Sequence, residues 1–270
     1  MYQKYWQLNS QPFPYRMSAT ECYPAASQQA ALLRLQYCVE NSAGCALIVG
    51  ESGLGKTTLL RQLEHAGAQL KPFCYLAFPG LSSVEQLRLL ASQLVEAPHS
   101  AGGAADSLLL DIAHNMQRYA SQGKHPVISF DDAQRLDASI MSDVVLPLLN
   151  LRDIDDTVDF TVVLSGQPVL MSQLSRHPQL RERIAVTARL GGMTMTECED
   201  YVSTRLRAAG ASADIFSSAA LKRLHECSQG NPRRLNRLCD MAMLVGCAEQ
   251  VGTIEQQHIE SVSTELFRAA

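Results

Sequence analysis

No apolar run in this sequence approaches the length of about 18 residues that a membrane-crossing helix needs, so no span is predicted. The opening Met-Tyr-Gln-Lys-Tyr-Trp lacks the apolar stretch of a secretory leader, and a cytoplasmic location is expected. The eight cysteines include no Cys-x-x-Cys pair and no metal-ligand spacing to any of the seven histidines. That argues against a structural zinc site and against a disulfide framework. Free thiols are expected instead, with Cys45 and Cys74 in buried strands. A large charge of one sign is missing too. The 23 Lys and Arg stand against 27 Asp and Glu, a net charge of −4. The chain as a whole therefore has no electrostatic pull toward nucleic acid or anionic lipid, although a local basic patch is still compatible. There are no internal repeats and no low-complexity tract. What remains is an ordinary globular composition, 46% hydrophobic over 270 residues, enough for a full core and two packed units.

One stretch organises the rest. Cys45 to Val49 is a short apolar run that reads as a buried strand, and Gly50 to Thr57 fits G-x-x-x-x-G-K-[ST]. Thr58 then begins a stretch with helical spacing. Strand, glycine loop and helix, in that order, are what a phosphate-binding loop requires. Gly50, Gly53 and Gly55 free the backbone so that the amides of Gly50, Glu51, Ser52, Gly53, Leu54, Gly55, Lys56, Thr57 and Thr58 can face phosphate oxygens. The following helix turns its positive dipole end toward the same anion. Lys56 can reach the β- and γ-phosphates, and the Thr57 hydroxyl can ligate Mg²⁺.

Residues 1–24 are rich in aromatics and proline, which suits an ordered arm lying on a domain. Residues 25–42 have helical spacing, and 73–78 read as a second strand. A helix over 82–97 opens with a Ser82–Glu85 capping box, and Asp106 is placed to cap a helix over 106–121. Pro98 to Ala105 reads as a loop between them. Strands are expected at 126–130, 160–167 and 186–190, with helices at 138–151 and 168–175. The remainder reads as helices at 196–209, 217–228, 232–247 and 255–266. Alternation up to about residue 190 predicts an α/β fold, a parallel five-stranded sheet between helices. The expected division is 1–190, arm plus nucleotide-binding core, and 191–270, a smaller all-helical domain.

Ligands of open α/β sheets sit at the carboxyl ends of strands. Two more predicted strand ends carry polar chemistry. Val-Ile-Ser-Phe leads into Asp131-Asp132, where Asp131 would hold the Mg²⁺ shell and Asp132 would polarise the attacking water. Ser165-Gly166-Gln167 closes the next strand, and Gln167 could contact the γ-phosphate or the water. Arg233 opens a later helix from which it could reach phosphates, and Arg181 and Arg183 could stabilise transferring-phosphate charge from a neighbouring copy.

Together these stretches resemble the AAA+ ATPases of the general secretion pathway protein A type, with relatives in pilus biogenesis and transposition. The resemblance is carried by Tyr5-Trp6-x-Leu8…Pro12-Phe13, Leu32-x-x-Leu35-x-Tyr37, the P-loop, Asp131-Asp132-Ala133-Gln134, Leu164-Ser165-Gly166-Gln167-Pro168, Leu180-Arg181-Glu182-Arg183-Ile184 and Gly230-Asn231-Pro232-Arg233-Arg234-Leu235-Asn236-Arg237-Leu238. They span almost the whole chain in the family's order. The resemblance implies an AAA+ core with a helical lid, ATP and Mg²⁺ as cofactors, and a homo-oligomer. It also implies Arg233 as sensor 2, Gln167 or Ser165 as sensor 1, and Arg183 as an arginine finger acting in trans. The family carries Asp-Glu where Asp131-Asp132 stands. Asp is one methylene shorter, about 1.5 Å, and a misplacement of about 1 Å can cost about 10²-fold in rate, which predicts slow hydrolysis.

Three functions are open at this point. One is an ATPase that drives or switches assembly of a protein partner of secretion or envelope type. Another is an ATP-dependent DNA-binding adaptor like those of transposition. A regulatory nucleotide-binding module is a third. Residues 191–270 hold 8 Lys and Arg against 10 Asp and Glu, which gives the DNA reading thin support.

Overall fold

The computed structural model describes residues 2–14, 23–67, 70–94 and 104–267. The predicted loop from Pro98 to Ala105 lies outside them except for its last two residues. The chain divides into two compact units, Gln28–Leu190 and Met1–Ser27 with Gly191–Ala270.

The first unit is built on five strands: β1 (Cys45–Val49), β2 (Phe73–Leu76), β3 (Val127–Phe130), β4 (Thr161–Gly166) and β5 (Ile184–Arg189). They pair in parallel in the order β2-β3-β4-β1-β5. This is the predicted α/β sheet. Alternate side chains feed two cores. Leu47 and Val49 of β1, Ile128 and Phe130 of β3, and Val162 and Leu164 of β4 pack in one cluster with α3 (Ser83–Leu94) and α4 (Ala105–Ser121). Ala46, Ile48, Val127 and Val163 pack in the other with α1 (Ala26–Glu40) and α2 (Lys56–Ala66). Burial on both faces explains why β1, β3 and β4 read as nearly continuous apolar runs, with small residues such as Ser129, Thr161 and Ser165 among them.

Side chains cover both sheet edges. Gln93 of α3 accepts from the Tyr75 N–H at 2.8 Å and donates to its C=O at 3.0 Å, standing in for a neighbouring strand beside β2. Arg34 of α1 donates to the Thr187 carbonyl of β5 at 3.1 Å. Such cover removes templates for edge-to-edge pairing. The predicted helix over 138–151 is one run of α5 (Ala138–Ile140), a π-helical turn (Met141–Val145) and α6 (Leu146–Ile154). Two short helices, α7 (Val169–Leu174) and α8 (Pro178–Glu182), link β4 to β5.

Local signals hold unevenly. The Ser82–Glu85 box is present, with Ser82 N–H on Glu85 at 2.8 Å and Glu85 N–H on Ser82 Oγ at 3.4 Å. Asp106 is not the cap of α4. Ala104 is, and Asp106 lies in the first turn, accepting from the Ser107 N–H at 2.8 Å.

The second unit holds α9 (Met195–Ala208), α10 (Ser218–Ser228), α11 (Pro232–Ala248) and α12 (Gln256–Phe267). The N-terminal arm falls in this unit, Met1–Ser27 with Gly191–Ala270, where the sequence division groups it with residues 28–190. The physical reason is aromatic burial. Tyr2, Trp6, Leu8 and Phe13 join the core of these helices. Trp6 Nε1 donates to the Met243 carbonyl at 2.9 Å, Arg205 Nε to the Pro12 carbonyl at 2.8 Å, and Asn9 N–H to the Ala209 carbonyl at 2.8 Å. Tyr23 meets Tyr201 edge to face, with ring centroids 5.8 Å apart.

Candidate functional site

The strand order puts the ends of β3, β4 and β1 side by side, with β4 in the middle. Neighbouring strands lie about 4.8 Å apart, so the β1 and β3 ends are about 10 Å apart, within reach of two short side chains. At these ends the P-loop, the Asp131-Asp132 pair and Ser165 come together.

The loop itself is built as the glycine pattern predicts, with one change of reason. Gly53 and Gly55 take left-handed conformations, φ 88° and 93°. Gly50 does not. Its place is tight instead, since a Cβ there would sit 3.0 Å from Leu190 Cβ and 3.2 Å from the Leu190 carbonyl, just past the end of β5. Gly55 caps α2, which starts at Lys56, two residues before the expected start. The buried Lys56 ammonium donates to the carbonyls of Gly50 at 2.8 Å and Glu51 at 3.1 Å. It is thus held over the loop, beside the first-turn amides of α2. The Gln28 carboxamide of α1 donates to the Leu54 carbonyl at 3.3 Å, steadying the loop from outside.

Asp131 is the hub. Its Oδ2 accepts from Thr57 Oγ1 at 2.5 Å. Its Oδ1 accepts from Ser165 Oγ at 2.8 Å and from the Asp132 N–H at 3.0 Å. One carboxylate thus joins the first turn of α2, which follows the P-loop, to the ends of β3 and β4. Asp132 is exposed, with a left-handed backbone, φ 51° and ψ 37°. Of the two residues proposed for sensor 1, Ser165 touches Asp131 directly. Gln167 enters through its backbone, which donates to Gln134 Oε1 at 3.0 Å.

The hard-oxygen pair Thr57 and Asp131, beside an anion-binding loop, is the donor set that Mg²⁺ takes when phosphates and water complete its shell. Among the described residues no group of three His, Cys, Asp or Glu side chains forms a metal cage of its own. The residues therefore fit an ion that arrives with its nucleotide.

Arg183 pairs within its own chain, Nη2 to Asp153 Oδ2 of α6 at 2.7 Å, while its Nη1 is buried with no hydrogen-bond partner among the described residues. Arg233 is exposed on the first turn of α11, behind an Asn231 cap that accepts from the Arg233 N–H at 3.1 Å. Arg233 belongs to the helical unit and the P-loop to the sheet unit.

The AAA domain family matches residues 39–174, the span that holds the P-loop, Asp131-Asp132 and Ser165-Gly166-Gln167. The chain belongs to the AAA+ ATPase family. It is 30% identical over 251 residues to General secretion pathway protein A of Aeromonas hydrophila, covering 92% of this chain and 45% of that one. It thus spans about half the length of that relative. Among solved structures, the Aeropyrum pernix ORC2 protein in its ADPNP–ADP complexes superposes with a TM-score of 0.70 at 17% identity, over 95% of this chain and 72% of that one. Cdc6p of Pyrobaculum aerophilum gives 0.71 at 17%, over 88% and 66%. The RuvB Holliday junction branch migration motor of Thermotoga maritima gives 0.58 at 18%, over 88% and 69%. At these identities the structures speak for the fold. Nucleotide binding is what membership of this family implies.

One residue of this AAA+ site has no role in the sequence reading. In the sequence Gln134 stands simply as the last residue of Asp131-Asp132-Ala133-Gln134. In the fold its Nε2 donates to Asp132 Oδ1 at 3.2 Å and its Oε1 receives the Gln167 N–H. Its spacing, two residues past a carboxylate at a turn, was the available signal. The partner on β4 was not visible in the sequence.

Proposed function

We propose that this AAA+ protein binds Mg²⁺–ATP at the loop of residues 50–58 and hydrolyses it slowly to ADP and phosphate, switching the assembly of a partner complex. The observation that carries the reading is the convergence on Asp131 of Thr57 from the P-loop and Ser165 from β4, beside Lys56 held over the loop. The loop amides and the α2 N-terminus bind the phosphates, and Lys56 transfers from the Gly50 and Glu51 carbonyls to phosphate oxygens. Thr57 and Asp131 would hold Mg²⁺, which when bound neutralises developing charge on the phosphates. Asp132 orients the attacking water and takes its proton. Ser165 holds Asp131 in place. Arg183 supplies charge to the site of a neighbouring copy, which makes a homo-oligomer the working form. Arg233 is assigned to the nucleotide phosphates on the resemblance.

The partner we favour belongs to a secretion or envelope assembly, by analogy with the Aeromonas relative, and the nucleotide-binding part works on the cytoplasmic side. No helix among the described residues is long and apolar enough to cross a membrane. The DNA-adaptor reading draws on Arg233, Arg234 and Arg237, all exposed near the start of α11. Phosphate contacts would make such binding steeply salt-dependent. Duplex binding at two salt concentrations, with and without ATP, separates the readings: ATP-dependent, salt-sensitive binding would favour DNA.

The primary test is calorimetry and thermal melting with ATP in magnesium buffer. A hundredfold excess over Kd should add about 2.7 kcal/mol of stability. Lys56→Ala should remove both the heat signal and the melting shift. A wild-type protein silent in both would end the reading.

A further inference from the structure

We infer that Gln134 is a positioning residue for Asp132, tying the water-activating carboxylate to the end of β4 through one side-chain amide. The inference rests on the hydrolysis reading above and adds to it a residue that reading does not use.

The amide is held in one orientation by its partners. Nε2 donates to Asp132 Oδ1 at 3.2 Å, and a carboxylate can only accept. Oε1 accepts the Gln167 N–H at 3.0 Å, and a backbone N–H can only donate. A flipped amide would break both bonds. The turn that carries Gln134, residues Ala133–Arg135, is anchored as well, because Gln173 Nε2 of α7 donates to the Gln134 carbonyl at 2.9 Å. Close approach to β4 is built into the chain. At Gly166 a Cβ would fall 2.8 Å from Gln134 Oε1, 3.3 Å from Gln134 N and 2.7 Å from Leu170 Cδ2. Asp132 has a left-handed backbone, sparsely populated outside glycine and kept only where the surroundings over-determine it. The arrangement means that a shift at the end of β4, where Ser165 and Gln167 lie, is carried to the Asp132 carboxylate. Asp132 is short, so it depends on being aimed.

The test uses the full chain with Gln134→Ala, with the isosteric Gln134→Glu, and with each on an Asp132→Asn background. Gln134→Glu keeps the acceptor for Gln167 and removes the donor to Asp132. Both single variants should lower kcat by about 10²-fold, the cost of a misplaced reacting group. The ATP Kd from calorimetry should stay within about twofold, and on the Asp132→Asn background the same changes should alter kcat by less than about twofold, because residues acting as one unit are non-additive. Without nucleotide, hydrogen exchange at the Gln167 amide should be fast in Gln134→Ala and protected in wild type and Gln134→Glu. Equal kcat losses on both backgrounds would reduce Gln134 to a structural turn residue and overturn the inference. Unchanged kcat in an active protein would overturn it alone, whereas an inactive wild type would sink the hydrolysis reading with it. If Gln134→Ala fails to fold, the Gln134→Glu cycle decides.

Discussion

The Thr57 hydroxyl donates to Asp131 Oδ2 at 2.5 Å, joining side chains that are 74 positions apart. The bond passes across the end of β4, whose Ser165 holds the other oxygen of the same carboxylate at 2.8 Å. Thr57 and Asp131 therefore present oxygens to one point beside the phosphate-binding loop.

Removing that hydroxyl should uncouple nucleotide from magnesium. Thr57→Ala is expected to bind ATP in EDTA as wild type does and to lose about 10- to 100-fold of the affinity gained with Mg²⁺, the scale seen when a metal site loses an orienting partner. Thr57→Ser should restore the gain. Calorimetry with and without EDTA reads the difference. A magnesium effect that survives in Thr57→Ala would remove Thr57 from the metal site.

Lengthening the second carboxylate should speed turnover. Asp132→Glu extends the acid by about 1.5 Å, toward the reach the family pattern uses. Steady-state ATPase rates are expected to rise while the melting temperature holds. No gain, or loss of folding, would show that the loop geometry here is tuned to Asp.

Arg183 now pairs with Asp153 at 2.7 Å in its own chain. If it also serves a neighbouring copy, Arg183→Ala should bind ATP normally and hydrolyse it poorly. Mixing it with Lys56→Ala protein should recover activity, since one variant brings an intact site and the other an intact finger. Failure to complement, together with an equal loss in Asp153→Ala, would leave Arg183 as a purely structural partner of α6.

A pH effect is expected at the amino ends of the same strands. Burial pushes the Asp159 carboxyl up. Hydrogen bonding and charge from His125, the Ser42 hydroxyl and Arg152 outweigh it and hold the carboxyl below its ordinary 3.8. The contacts are His125 Nδ1 at 2.8 Å, Ser42 Oγ at 2.9 Å and Arg152 Nη2 at 3.4 Å. A folded pKa below the unfolded one stabilises above the unfolded value, and the contribution fades as pH falls through the folded value. Asp159→Asn should therefore melt lower than wild type at pH 6, with the gap closing below about pH 4. Denaturant titrations at a series of pH values would show it. A constant gap down to pH 2 would count against the network.

The sequence by itself determined the local parts. Strand, glycine loop and helix over 45–66 follow from spacing and backbone chemistry confined to neighbouring residues, as do the alternating elements up to residue 190. Tertiary structure decided which of these parts meet. Whether Asp131 faces Thr57 or lies four strands away depends on strand order, and the order β2-β3-β4-β1-β5 is set by how crossovers bury both faces of one sheet. The same holds for Gln134, whose second partner arrives from β4, and for the aromatic arm. Proximity in sequence groups that arm with the sheet, and apolar burial places it among the helices.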